Sequence, residues 1–298
     1  MTRTNRWTLA LAALLAAGAA GADPLLGAGA LPAFPARLLA EQLRLDRRVH
    51  PEVWERVANL QGVRPEAYLA TRARRPSVSR ELAMMGPDAL LPMLDLLVGG
   101  GYPRALSDEE RSALTLGALE AVASLRDRRA SPVLRAAFLQ VTDPAQMRAA
   151  ARGIAALGAP EDLAFLAAHL DAPGGRGLAA LEGFGASRSR AALDAVATVL
   201  DAARDEATVR AAARALGEIG SSWAQRASGA DADLPARAAE PLVRAFLRTA
   251  GRTREAAQVA ILACGSPRAA ALLAEALPAA DAPTRARISS LIALLRRY

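Results

Sequence analysis

The chain has 298 residues, enough to bury a sizeable core, yet aromatic residues make up only 4% of it against 52% hydrophobic residues overall. The apolar content is mostly Ala and Leu, strong helix formers, with few β-branched runs, so an all-α protein is expected. The formal net charge is +7, or +5 without Arg3 and Arg6, and every basic residue is an Arg. So modest an excess explains solubility and gives no support to nucleic-acid binding. An Arg-only surface suits bidentate recognition of phosphate or carboxylate. Enrichment in Ala, Arg and Gly together is also what GC-rich coding produces, and that explanation is favoured.

Residues 1–22 read as a signal peptide: Arg3 and Arg6 form a charged start, residues 8–19 are almost entirely Leu and Ala, and Ala20-Gly21-Ala22 supplies the small residues of a cleavage site. The apolar run is shorter than the roughly 20 residues that span a bilayer, so cleavage after Ala22 is preferred to a retained anchor. A periplasmic or secreted protein with no integral membrane span is therefore expected. Residues 25–35, rich in Gly, Ala and Pro, read as extended or disordered. Short helices follow at 37–46, 51–60 and 65–74, and Trp54 and Tyr68 are placed to cover the open apolar face of whatever comes next.

From residue 77 onward the chain repeats itself. Residues 143–158 read DPAQMRAAARGIAALG and residues 205–220 read DEATVRAAARALGEIG, identical at eight of sixteen positions without a gap. First helices end at Gly86, near Leu125, and at Gly158, Gly185, Gly220 and Gly265, where glycine would take the left-handed conformation that closes a helix. A second helix follows each, at 88–98, 132–141, 160–170, 188–200, 238–247 and 267–277. Asp143-Pro144, Ser131-Pro132 and Ser266-Pro267 read as caps followed by a first-turn Pro, and Ser107 with Glu110 has the spacing of a capping box. Insertions at 99–103 and 221–236 interrupt the array, and the second carries Trp223. An exposed Trp223 would supply binding energy; the alternative has it folded back over its own helices.

These units resemble HEAT repeats, in the first helix of 143–158 and 205–220 and in second helices such as DALLPMLDLL at 88–97. The resemblance implies an α-α superhelix of about six helical hairpins over residues 77–298, preceded by an N-terminal linker and helical cap over 23–76. It also implies a ladder between repeats in which Asp143 with Arg148, and Asp205 with Arg210, are the structural residues. Arg126 stands where a closing Gly is expected and Glu255 where a ladder Arg is expected, so the ladder is interrupted.

Catalytic and metal motifs are missing. His50 and His169 are far apart and Cys264 is the single thiol, which leaves no set of metal ligands and no cofactor site. The iron-binding His-Glu pairs of HEAT-like hydroxylases are absent. Cys264, within VAILACG, reads as a small buried hydrophobe. The expectation is a non-enzymatic scaffold or adaptor of the bacterial envelope, holding a protein partner on its concave surface. Arg152 and Arg214, one turn beyond the ladder residues, are the candidate partner contacts together with Trp223. The competing expectation is a binder of anionic ligands or polymers through that Arg stripe, and a more distant one is a lyase resembling the HEAT-containing bilin lyases.

Overall fold

The computed structural model describes residues 24–27, 29–60, 77–99, 102, 105–172, 175–223 and 231–297. Among them are fifteen α-helices, three short 3-10 turns and no strand. The chain divides into two compact units, Met1–Ala118 and Leu119–Tyr298. The signal sequence, the helix expected at 65–74 and Tyr68 lie outside the described residues.

In the first unit, α1 (Ala33–Val49) and α2 (Pro51–Ala58) pack on α4 (Leu90–Val98), with α3 (Ser77–Met84) between them in the chain. α4 buries Leu90, Leu91, Pro92, Met93, Leu94, Leu96 and Leu97, so it is apolar almost all round and forms the centre of the unit. Residues 25–35 are not simply extended, because the last-turn carbonyls of α4 need partners. The Leu25 and Leu26 amides donate to Leu96 and Leu97 at 3.1 and 2.9 Å, and α1 starts at Ala33, four residues ahead of expectation. Trp54 is held from two sides: its Nε1 donates to Asp46 at 2.9 Å, and the Arg47 guanidinium lies 4.1 Å above its ring while reaching Asp95 of α4 at 3.0 Å.

The second unit begins within α5 (Asp108–Leu125) and alternates between two layers. The first layer contains α7 (Pro144–Leu157), α9 (Arg176–Phe184), α11 (Glu206–Ile219), α13 (Gly251–Cys264) and α15 (Ala282–Leu295), each packed on the one before. The second contains α6 (Ser131–Gln140), α8 (Pro160–Ala167), α10 (Arg190–Ala202), α12 (Leu234–Arg248) and α14 (Pro267–Ala276). There α8, α10, α12 and α14 pack in sequence, and α7/α8, α9/α10 and α11/α12 pack as hairpins. Stacked helical hairpins are thus what forms. α15 is an addition to the expected elements; capped by Asp281, whose carboxylate accepts the Thr284 amide, it packs on α13 and α14. α12 begins four residues before the expected 238, because Leu234-Pro235 puts a proline in its first turn.

Most of the expected caps form. Asp143 accepts the Ala145 and Gln146 amides at 2.8 and 2.9 Å, and Asp205 accepts the Thr208 amide at 2.9 Å, which holds its carboxyl below the usual value. The Ser107/Glu110 box closes in both directions, at 2.9 and 3.2 Å. Ser131 is not a cap. A 3-10 turn at Arg128–Ala130, capped by Asp127, precedes α6, which frees the Ser131 hydroxyl for another bond.

The closing glycines serve two purposes. Gly158 and Gly265 take left-handed φ values of 70° and 56°, and Arg126 does the same at 54° in place of a glycine. Gly185 and Gly220 do not: their φ values are −56° and −84°. At Gly220 it is space, rather than conformation, that requires glycine. A Cβ on Gly220 would lie 2.8 Å from both Ala238 Cβ and Cys264 Sγ, and one on Gly185 would lie 2.7 Å from a Glu218 carboxylate oxygen. The helices of the first layer touch through equally small residues. A Cβ on Gly183 would lie 2.6 Å from Ala151 Cβ, and one on Gly217 would lie 2.8 Å from Ala260 Cα. Gly183→Val is therefore expected to destabilise the chain by about 1–3 kcal/mol through overpacking, read as a lower urea midpoint in equilibrium unfolding.

Candidate functional site

The second layer of the Leu119–Tyr298 unit is joined by Arg–Asp pairs. Arg135 of α6 donates from Nε and Nη2 to Asp162 of α8 at 2.8 and 2.6 Å, and the freed Ser131 hydroxyl donates to the same oxygen at 2.6 Å. The Asp162 side chain is 2% exposed, so this pair is largely removed from water. Further along, Arg237 and Arg244 of α12 meet Asp194 and Asp201 of α10 at 3.0 and 2.7 Å. Arginines also close helix ends, where backbone carbonyls lack partners. Arg176 donates to Phe138 and Leu139 at the end of α6, and Arg248 donates to Leu200 and Asp201 at the end of α10.

Between first-layer helices the acidic partners are Glu182 and Glu218, neither of which the repeat pattern singles out. Glu182 of α9 receives Arg148 of α7 at 3.5 Å and Arg214 of α11 at 3.3 Å. Glu218 of α11 receives Arg152 of α7 at 2.6 Å, and its backbone carbonyl accepts Arg188. Burial pushes the Arg188 pKa down, and Arg126 and Arg152 add to that effect while Glu218 opposes it. Asp143 and Asp205, expected to face the ladder arginines, instead bond amides of their own helices. Arg152 and Arg214, the candidate partner contacts, are exposed but engaged by these glutamates.

Arg210 lies elsewhere, in a groove of about 470 Å³ between α11 and α13. Gly217, Ala256, Val259 and Ala260 line it, as do Arg210, Arg214, Glu218, Arg252 and Glu255. Val259 is 66% exposed, and among the described residues Arg210, Arg252 and Glu255 have no ion-pair partner. Trp223, which follows α11 by four residues, is 73% exposed and so does not fold back over its helices.

The remaining chemistry-bearing residues have structural surroundings. His169 stacks edge-on against Phe138, with ring centroids 5.4 Å apart, and its Nδ1 lies 2.8 Å from the Phe165 carbonyl, so that nitrogen carries the proton. Cys264 is buried, and desolvation pushes its thiol up to about 12. Among the described residues no group of three or more His, Cys, Asp or Glu side chains is placed to hold a metal ion, and no helix is long and apolar enough to cross a membrane.

No family model matches the sequence, and no curated protein matches it. Among solved structures, the chain is similar to human deoxyhypusine hydroxylase in complex with glycerol. The two are 13% identical over 86% of this chain and 98% of the other, with a TM-score of 0.31. A likeness that low transfers no activity. The structure it matches is that of an enzyme, against the expectation of a non-enzymatic protein drawn from helical-repeat architecture and missing catalytic motifs.

Two tests follow from these environments. Asp162→Ala leaves Arg135 without its acceptor and should cost about 1.5–3 kcal/mol in urea unfolding. Arg237→Ala, which removes an exposed pair, should cost less than about 1 kcal/mol. Cys264 should resist iodoacetamide at pH 8 in the folded chain and react rapidly in denaturant. Because folding raises this thiol's pKa, the stability it contributes is complete below its ordinary value of 9.0 and is lost as pH rises toward about 12.

Proposed function

We propose that the chain is an exported HEAT-type repeat protein of the bacterial envelope that binds a protein partner along the α11/α13 groove. The observation that carries this reading is the groove's composition. Gly217, Ala256, Ala260 and the exposed Val259 line it together with Arg210, Arg252 and Glu255. Apolar side chains set among charges of both signs suit a protein interface. A polyanion would require a run of uncommitted cations. The two arginines on which that alternative rested, Arg152 and Arg214, are already paired with Glu218 and Glu182. Export is supported by the charged start, apolar run and small residues of positions 1–22.

The test is affinity capture from envelope extracts by the wild-type chain and by Val259→Asp. A groove partner should remain bound in about 0.5 M salt, where exposed charge pairs are screened. Val259→Asp should reduce its recovery roughly tenfold while leaving the unfolding midpoint within about 0.5 kcal/mol of wild type. Equal recovery by both proteins would rule the groove out.

A further inference from the structure

A second exposed apolar feature lies outside that groove. Among the described residues, four of the eight large hydrophobic side chains that remain exposed belong to the single helix α1: Phe34 at 64%, Leu38 at 47%, Leu45 at 64% and Val49 at 67%. Their spacing is i, i+4, i+11 and i+15, which at 100° per residue gathers them within an arc of about 60°. The side of α1 that packs on α4 is a different one, with Leu39 buried and Leu43 half-buried. α1 therefore has two apolar faces, and the second is uncovered along its 17 residues.

The charges beside that face are mostly of one sign. Arg37, Arg44 and Arg48 are exposed and lie along one edge of the stripe. Arg44 makes only a long bond within its own helix, to Ala40 at 3.4 Å. Arg47, committed to Asp95 and Trp54, lies further round the helix. The helix has two acids: Glu41 is exposed on the stripe, and Asp46 is half-buried and bonded to Trp54. We infer that α1 is a membrane-surface helix, lying flat on anionic lipid with Phe34, Leu38, Leu45 and Val49 sunk at the headgroup boundary and Arg37, Arg44 and Arg48 among the phosphates. A narrow apolar stripe bordered by long cationic side chains, on a helix too polar to span, is the composition that such association requires.

The test uses the full chain, so that residues 1–22 are common to every variant. Wild type should sediment with vesicles of equal parts phosphatidylglycerol and phosphatidylcholine, and less with phosphatidylcholine alone. Leu38→Ser and Leu45→Ser should each lower partitioning roughly tenfold. Replacing Arg37, Arg44 or Arg48 by Gln should weaken binding to the anionic vesicles about fivefold per residue, with little effect on neutral ones. A nitrobenzoxadiazole label on Leu45→Cys, with Cys264 too buried to compete, should shift its emission to the blue when anionic vesicles are added. Equal sedimentation of wild type and the serine variants, or an unshifted label, would overturn the assignment. So would self-association that the serine variants abolish while the label ignores vesicles, because the stripe would then belong to a second copy of the chain.

Discussion

The Leu119–Tyr298 unit depends on how closely its first-layer helices approach. Gly183 faces Ala151 and Gly217 faces Ala260 with no room for one further methyl group. Contacts this small bury little apolar area each. They bring the backbones near enough for long side chains on the flanks to reach across an interface and find a charge. Close packing of α9 on α7 lets Arg148 reach Glu182 and lets Arg152 reach past α9 to Glu218.

This accounts for the way an Arg-only chain uses its charge. Many arginines act inside the fold. Arg135 and Arg244 bridge neighbouring helices of the second layer, while Arg176 and Arg248 close the carbonyl ends of helices beside them. A planar fork with five donors suits both roles better than an ammonium group would. Other arginines stay on the surface. Arg210 and Arg252 stand by the groove, and Arg37 and Arg48 lie on α1, where the neighbouring apolar side chains rather than the charge define the surface.

The fold is legible in the sequence because it is written in local signals. Asp143, Asp205 and Ser266 announce helix starts, and Gly158 and Gly265 announce helix ends. The reading falters where one residue type serves two physical ends. Gly220 looks like a closing glycine but is needed for its missing side chain, a requirement visible only once Ala238 and Cys264 are in place. The ladder is misplaced for a similar reason. Comparing first helices alone draws attention to Asp143 and Asp205, whose oxygens their own amides occupy. Comparing second helices finds Pro132-Val-Leu-Arg135 and Pro241-Leu-Val-Arg244, whose arginines do cross between helices. The stripe on α1 is also readable from spacing, but part of it falls in residues expected to form a linker.

Gly185 has one more consequence. Arg152 belongs to α7 and Glu218 to α11, with α9 between them, so their bond passes over the end of the intervening helix at the position where Gly185 lacks a side chain. Arrays of stacked hairpins ordinarily couple each unit only to its neighbours, so that one end can melt while the other persists. A bond that skips a unit links the free energies of three hairpins instead of two. The exposed pair contributes little energy by itself, but it extends the length over which the array folds and unfolds as one cooperative block.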